Sequence, residues 1–204
     1  INKLTNEKSK VSSHYFIKRN GEIILMVPEL YIAWHAGKSK WKNYNLLNSN
    51  SIGIEISNKG HQFGYQNYSV NQIRSLIKLS KILIKKYKIK SKNILGHSDV
   101  AYNRKKDPGE KFPWKLLSKK RIGIWHNLNK NELSNIRNVT INSIENNELL
   151  KNIKKIGYIF NHRSSKQKRK LLIAFQRRFR PELINGKSDK ECLIIAKKLS
   201  KLYN

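Results

Sequence analysis

Two residues ten positions apart, a histidine and an aspartate, are the first candidates for chemistry in this chain. His97 and Asp107 lie in the stretch GHSDVAYNRKKDPG, where Pro108 and Gly109 predict a tight turn that aims the aspartate back at the loop. An imidazole nitrogen and a carboxylate oxygen suit zinc, but a catalytic zinc normally has three protein ligands and an open position for water. The spacing therefore indicates part of a metal site, with a structural or surface histidine as the other interpretation.

Two further charged residues are candidates for chemistry, one beside this pair and one on a separate predicted strand. Lys105 stands two positions before Asp107 and could supply positive charge. Glu55 is set among isoleucines in SIGIEIS (51–57). If its side chain faces the core, burial raises its pKa toward the range that a general acid or base needs near neutrality. Strand alternation that turns Glu55 to water, or pairing with a Lys or Arg, is the alternative.

The stretch AWHAG surrounds an aromatic residue and a histidine with small residues. Trp34, His35, Ala36 and Gly37 predict a groove wall that a ligand approaches closely. Ordinary packing of Trp34 explains the same composition equally well. A second histidine, His14 in SSHY, begins a predicted strand and fits a core position as well as a site.

The elements that must position these residues follow from the apolar pattern. Two apolar runs around Asn20-Gly21 predict a β-hairpin, and 51–57 predicts a buried strand. Residues 69–87 have the helical period, and Ser69 with Gln72 fits a capping box. This order predicts an α/β domain, 1–125, with a mixed β-sheet flanked by helices.

The composition changes after this domain. Residues 126–146 are polar and rich in Asn, which predicts a linker with a short helical piece. Residues 147–204 carry three stretches of helical spacing and predict a small three-helix module. In the middle stretch, four apolar residues share one face: Leu171, Leu172, Phe175 and Phe179. Ser188 with Glu191 predicts a capping box at the start of the last helix.

The charge balance is strongly basic, with 43 Lys and Arg against 13 Asp and Glu, a net charge of +30. Such a surface attracts polyanions such as nucleic acid, an anionic membrane or an anionic cell wall, although the abundance of Lys, Asn and Ile also fits an AT-rich genome. The single cysteine, Cys192, excludes an intramolecular disulfide and is expected to be a small buried residue. The sequence contains no run of about 18 apolar residues, so no transmembrane segment is predicted. No targeting segment is visible.

Taken together, the motifs resemble those of zinc-dependent N-acetylmuramoyl-L-alanine amidases of the two-domain bacterial type. VSSHYFIKRNGEI, ILMVPEL, AWHAG, SIGIEI and GHSDVAYNRKKDPG followed by FPW occur in the family's order. LLIAFQRRFRPELINGKSDKE (171–191) resembles the helical peptidoglycan-binding-like module of these enzymes. The resemblance implies the fold shared with peptidoglycan recognition proteins. It also implies hydrolysis of the amide between N-acetylmuramic acid and L-alanine in peptidoglycan or muropeptides, for wall turnover or recycling.

The resemblance also implies roles for the candidate residues. His97 and Asp107 match two of the three zinc ligands, Glu55 matches the catalytic glutamate, and Lys105 matches the lysine near the scissile carbonyl. The groove that receives glycan and peptide is matched by Trp34, His35, Ala36 and Gly37. A peptidoglycan or muropeptide partner, a monomer and a location in the cell envelope are expected, and nucleic acid is not.

One departure from the family pattern concerns the first zinc ligand, a histidine on a strand that precedes VSSHY. Only INKLTNEKSK stands before Val11, and it contains no histidine. These ten residues resemble the loop and helix that follow the missing strand, and His14 does not match the ligand. The sequence thus predicts a two-ligand zinc site, and an inactive peptidoglycan-binding protein is the alternative. A basic nucleic-acid-binding protein is suggested only by charge, without a supporting motif.

Overall fold

A small mixed sheet stands at the start of the described chain. The structure, a computed structural model, describes residues 11–203. Its strands are β1 (Tyr15–Ile17), β2 (Ile23–Leu25) and β3 (Ile54–Ile56), in the order β2-β1-β3. β1 pairs antiparallel with β2 and parallel with β3, opposite residues being Phe16 and Glu55. The sheet therefore places Glu55 beside a buried residue of the central strand.

The predicted hairpin between β1 and β2 is confirmed. Lys18 and Glu22 close its loop through a backbone bond of 2.9 Å, and Gly21 turns the chain at φ +92°. A Cβ on Gly21 would meet the backbone of Asn71 at 2.9 Å, so both conformation and space require glycine here.

Strand β3 is present, but the prediction that it is buried is wrong. Ile54 and Ile56 are half-buried, and Glu55 between them is exposed. Within the described residues β3 pairs with β1 on one side only, so it forms an edge of the sheet. An apolar run of this length does not distinguish an edge strand from a central one.

Helix α2 (Val70–Tyr87) confirms the prediction over 69–87. The Ser69 hydroxyl accepts from the Gln72 N–H at 3.1 Å, and the Gln72 side chain accepts from the Ser69 N–H at 3.0 Å. This reciprocal capping box satisfies two N–H groups that a helix start leaves without partners. Its apolar side, which includes Leu76, Leu79 and Leu83, is buried.

The opposite side of α2 is lined with cations, and we call these four residues the α2 basic stripe: Arg74, Lys78, Lys81 and Lys85. They are spaced by four, three and four residues, which places them on one helical face, and all four are exposed. The helix contains no Asp or Glu. The stripe extends over about 16 Å, at about 1.5 Å per residue.

The remaining helices are α1 (Leu47–Asn50), α3 (His97–Val100), α4 (Trp114–Ser118), α5 (Lys130–Asn135), α6 (Ser143–Ile156), α7 (Ser165–Phe179) and α8 (Lys190–Ser200). The last three form the predicted helical module, and α6 packs against α8. The four apolar residues predicted to share a face of α7 are all buried. The mixed sheet followed by three helices confirms the predicted fold class.

The start of α8 differs from the prediction by one residue. Asp189, not Ser188, caps the helix, because its Oδ1 accepts from the Cys192 N–H at 2.8 Å. Glu191 does not complete a capping box but pairs with Arg137. Cys192 is fully buried as predicted, and burial raises its pKa to about 12.

Contacts divide the chain into two units, one ending at Ile89 and one beginning at Lys90, and each is described by itself. In the second unit, residues 126–146 contain α5 and make contacts beyond it. Arg137 binds both carboxylate oxygens of Glu191, at 2.7 and 2.8 Å. The predicted domain boundaries at 125 and 146 stay a prediction.

Candidate metal and substrate site

The fold brings His97 and Asp107 into direct contact. His97 Nδ1 lies 3.0 Å from Asp107 Oδ2. The chain turns directly after the aspartate, through a cis Asp107–Pro108 bond and Gly109 at φ +85°. The Ser98 N–H donates to the main-chain carbonyl of Asp107 at 2.8 Å, which joins the two ends of the loop. The separation of these two side chains is therefore fixed by main-chain as well as side-chain atoms.

The carboxylate of Asp107 is held in its ionised form. Burial acts to raise its pKa, but the hydrogen bond with His97, the charge of His97 and the charge of Lys105 together lower it below the ordinary value. Because metal ligands must be deprotonated, this state is the one that binds a cation.

The donor types of this pair fit zinc, which binds imidazole nitrogen and carboxylate oxygen. Within residues 11–203 no group of three or more His, Cys, Asp and Glu side chains is arranged to hold a metal ion. The described residues thus offer two adjacent donors. The prediction for INKLTNEKSK falls on residues 1–10 and lies outside the described residues.

His14 has a structural role. It is buried, its Nδ1 accepts from the Gly53 N–H at 3.0 Å, and its Nε2 donates to the Tyr31 carbonyl at 3.1 Å. Both ring nitrogens are therefore bonded to the main chain, which leaves neither as a metal donor. The ring joins the start of β1, the loop at Tyr31 and the residue before β3.

His35 is held against the same glycine. Its Nδ1 donates to the Ala33 carbonyl and its Nε2 bonds with the Ser51 hydroxyl, both at 2.9 Å. A Cβ on Gly53 would lie 2.3 Å from the His35 ring, so only glycine permits this placement. Gly53 was not among the predicted residues, although its position two residues before Glu55 in SIGIEIS was a signal for close approach.

The AWHAG segment divides between exposed and buried residues. Trp34 is 52% exposed, so about half of its surface is available to a ligand and the rest packs against the protein. Gly37 is exposed and adopts φ +55°, His35 is half-buried, and Ala36 is buried with its N–H donating to Asn48 Oδ1 at 2.7 Å. An exposed indole next to exposed main chain suits contact with a ligand.

Glu55 and the AWHAG segment lie in the first unit, whereas His97, Lys105 and Asp107 lie in the second. Glu55 is exposed, so burial in the core, one of the two interpretations of the sequence, is wrong for its side chain. Lys105 is half-buried, and its N–H donates to the Ala101 carbonyl at 3.0 Å.

A buried polar cluster behind His97 was not predicted. The Asp99 carboxylate accepts from the Tyr158 hydroxyl at 2.6 Å and from the Gly96 N–H at 2.7 Å, and it pairs with Arg178. Two of these partners, Tyr158 and Arg178, lie 59 and 79 positions away along the chain. No local pattern reports such contacts, although an aspartate two positions after a candidate ligand was a weak signal.

Comparison with known proteins gives consistent matches. The family model described as N-acetylmuramoyl-L-alanine amidase matches residues 2–110. The N-acetylmuramoyl-L-alanine amidase AmiD of Escherichia coli K12 is 36% identical over 207 residues, which cover 95% of this chain and 75% of the relative. The 1,6-anhydro-N-acetylmuramyl-L-alanine amidase AmpD of the same strain is 39% identical over 105 residues, 52% of this chain and 55% of the relative.

Solved structures agree with the sequence matches. AmiD from E. coli, in complex with anhydro-N-acetylmuramic acid-L-Ala-D-γ-Glu-L-Lys, has a TM-score of 0.86 at 34% identity, covering 99% of this chain and 83% of that one. AmpDh3 from Pseudomonas aeruginosa, in complex with anhydromuramic pentapeptide, has a TM-score of 0.83 at 32% identity, covering 98% and 84%. The family resemblance of the ordered motifs is confirmed. The chain belongs to the N-acetylmuramoyl-L-alanine amidase family.

Proposed function

We propose that this chain hydrolyses the amide between N-acetylmuramic acid and L-alanine in muropeptides or peptidoglycan. The observation that carries the proposal is the His97–Asp107 pair, in which a family motif forms two adjacent donors 3.0 Å apart. Two relatives of solved structure are complexes with anhydromuramic peptides, so an anhydro-muropeptide is the natural first substrate to test.

His97 Nδ1 and Asp107 Oδ2 are the atoms that would hold zinc. Zinc supplies Lewis acidity and lowers the pKa of bound water toward about 7. Lys105 contributes a positive charge that stabilises the oxyanion as the amide carbonyl is attacked. Its charge also helps to keep Asp107 ionised.

Glu55 is proposed as the group that moves the proton. Its carboxylate takes a proton from the attacking water and delivers it to the nitrogen of the departing L-alanine. Its exposed position on β3 leaves it accessible to solvent and substrate. In the same unit, the exposed Trp34 indole and the Gly37 main chain support the substrate, with His35 and Ala36 fixing the segment between them.

Replacement of the proton carrier tests this proposal. Glu55→Ala is expected to lower the turnover of an anhydro-muropeptide about a hundredfold or more, because general acid–base catalysis typically contributes that much. Hydrolysis is followed by chromatography of the released peptide with zinc supplied, and zinc per chain is measured by elemental analysis. Glu22→Ala, an exposed carboxylate in the hairpin, is the matched control and should keep full activity. Full activity of Glu55→Ala would contradict the role.

An inactive peptidoglycan-binding protein is the second candidate, and the two-donor count within residues 11–203 favours it. The same experiment separates the two functions. Binding of the anhydro-muropeptide without its hydrolysis, at saturating zinc, would support the binding protein and contradict the amidase. Release of the peptide would do the opposite.

The location and assembly of the protein stay predictions. No helix described between residues 11 and 203 has the length and apolar character needed to cross a bilayer. A cell-envelope location is tested by fractionation with an antibody, and the monomer by sedimentation at equilibrium.

A further inference from the structure

A buried ion pair connects the ligand loop, residues 96–109, to helix α7. The Arg178 guanidinium binds the Asp99 carboxylate, and these side chains are 3% and 1% exposed. The Tyr158 hydroxyl and the Gly96 N–H occupy further acceptor positions on the same carboxylate, at 2.6 and 2.7 Å. Asp99 therefore exchanges all contact with water for three protein donors.

Arg178 also holds the segment that enters the ligand loop. Its Nη2 donates to the Ile94 carbonyl at 3.0 Å, and its guanidinium lies 4.0 Å from the centre of the Trp114 ring. Ile94 and Asp99 stand on either side of His97. Because breaking a buried ion pair leaves an uncompensated charge, the pair strongly favours the arrangement in which both segments meet Arg178.

Helix α7 makes further contacts along the loop. The Tyr102 hydroxyl donates to Gln167 Oε1 at 3.4 Å, and Lys170 Nζ donates to the Asn103 carbonyl at 2.9 Å. Directly after the loop, Glu110 lies 3.6 Å from Arg177. With the Arg178 contact, these bonds extend from the first to the last turn of α7. The whole helix thus supports the loop that contains both donor candidates.

We propose that Asp99 and Arg178 are a positioning pair for His97 and Asp107, so that α7 is part of the catalytic scaffold. His97 begins α3, a single turn closed by Ala101 N–H donation to its carbonyl at 3.0 Å. The Asp99 side chain, within that turn, accepts from the N–H of Gly96, the residue that precedes the turn. Loss of Arg178 releases Asp99 toward solvent, which loosens the turn and the adjacent Ser98–Asp107 bond. The meaning of this positioning for catalysis rests on the proposed function, whereas the physical coupling does not.

Amide hydrogen exchange in the metal-free protein tests the coupling directly. Arg178→Met is expected to speed exchange of the Ser98 and Ala101 amides at least about tenfold relative to amides of α8. Arg137→Met breaks the ion pair with Glu191 in the same unit and is the matched control, which should leave both amides unchanged. Equal exchange at Ser98 in the two variants would overturn the proposal.

Two milder variants keep the test valid if Arg178→Met does not fold. Tyr158→Phe removes only one hydroxyl from Asp99 and should accelerate Ser98 exchange by about threefold. Arg178→Lys retains the charge and should restore part of the protection that methionine removes. Unchanged Ser98 exchange in Tyr158→Phe would also count against the positioning pair.

Zinc titration adds the functional readout. Arg178→Met should weaken zinc binding about 10- to 100-fold, the usual effect of removing support behind a ligand, and Arg137→Met should stay within about twofold of the original chain. If the unaltered chain neither binds zinc nor cleaves the muropeptide, the proposed function fails while the exchange result still decides the coupling. If both variants bind zinc and do so with equal affinity, the positioning role is overturned.

Discussion

Histidines of this chain differ in their burial and in their hydrogen-bond partners, which residue type alone does not predict. His97 is half-buried and its Nδ1 contacts the side chain of Asp107, whereas His14 and His126 are buried with both ring nitrogens bonded to main-chain groups. His126 Nε2 donates to the Phe179 carbonyl at 3.2 Å, and its Nδ1 accepts from the Leu128 N–H at 3.2 Å. Burial of His126 disfavours the protonated form of its ring.

His126 is therefore expected to make the second unit sensitive to acid. Burial lowers its pKa from 6.5 to about 4. The unfolded chain binds more protons between these values, so the free energy of unfolding falls as pH falls through this window, by at most about 3 kcal/mol. Urea unfolding at pH 7 and pH 4.5 measures the slope. His126→Asn should reduce it, whereas the same change at exposed His162 should not; an unchanged slope in His126→Asn would contradict the assignment.

The pKa of Glu29 is also lowered, so its contribution to stability has the same dependence on pH but lies in a more acidic range. Its carboxylate accepts from Lys86 at 2.6 Å and from the hydroxyls of Tyr15 and Tyr87, and these bonds, led by Lys86, lower its pKa from 4.5 to about 2. The stabilisation is complete above pH 4.5 and is lost as pH falls toward 2.

Removal of this carboxylate is expected to destabilise the first unit near neutral pH. Glu29→Gln should lower the free energy of unfolding by about 1–2 kcal/mol at pH 7, since bonds to a charged group are being weakened. Its difference from the original chain should shrink at pH 3, as followed by urea unfolding monitored by circular dichroism. Glu22→Gln, at an exposed ion pair, should change stability by less than about 0.5 kcal/mol.

At the residue scale, residue type and spacing could predict that the His97 and Asp107 side chains lie together, because Pro108 and Gly109 indicate a turn directly after the aspartate. The orientation of Glu55 could not be predicted, since it depends on whether another strand covers β3. The role of Gly53 depends on the His35 ring, which approaches from 18 positions earlier.

Among the secondary-structure elements, the helix ends show how local signals compete. Ser188 and Asp189 are both good capping residues, and the sequence alone favoured the first through Glu191. The structure selects Asp189, whose Oδ2 also lies 3.1 Å from the buried Arg180. Likewise, polar composition predicted a linker over 126–146, while Arg137 in that range binds Glu191, 54 positions away. Such distant partners decide what local composition cannot.

Capping by Asp189 predicts a large difference between two neighbouring substitutions. Asp189→Ala should lower the free energy of unfolding by about 3 kcal/mol, because it removes the cap and one carboxylate beside buried Arg180. Ser188→Ala, the control, should cost less than about 0.5 kcal/mol. Thermal unfolding of both variants decides the point, and similar losses would mean that Asp189 is not the cap.

In the whole molecule, part of the net charge of +30 comes from cations that lie together on one surface. The α2 basic stripe presents four exposed cations on a helix without a single carboxylate. Peptidoglycan stems bear carboxylates, so the stripe is suited to hold the protein on such a substrate, with an attraction that salt weakens.

Neutralisation of the stripe is expected to weaken binding to isolated cell-wall sacculi. Glutamine at all four stripe positions should reduce affinity about tenfold at about 50 mM salt, and the difference should nearly disappear at about 500 mM. The control removes the same charge from exposed positions outside both the stripe and the helical module: Lys59, Lys119, Lys120 and Lys130. Sedimentation of sacculi with bound protein gives both affinities, and equal losses would mean that only net charge matters.

Family and fold class could be predicted at this scale because several motifs occur in a fixed order. The division of contacts after Ile89 could not, since the composition changes only near 125. Contacts such as Asp99 with Arg178 join residues on both sides of the predicted linker, and composition does not predict contacts between residues so distant in sequence.

The buried Cys192 gives this protein a built-in chemical probe. A thiol with a pKa near 12 and no exposed surface reacts slowly with maleimides or disulfide reagents while the helices stay closed. Its modification rate therefore reports how often α8 opens. Because it is the single cysteine, a second cysteine placed on the surface would accept a fluorescent dye without background labelling.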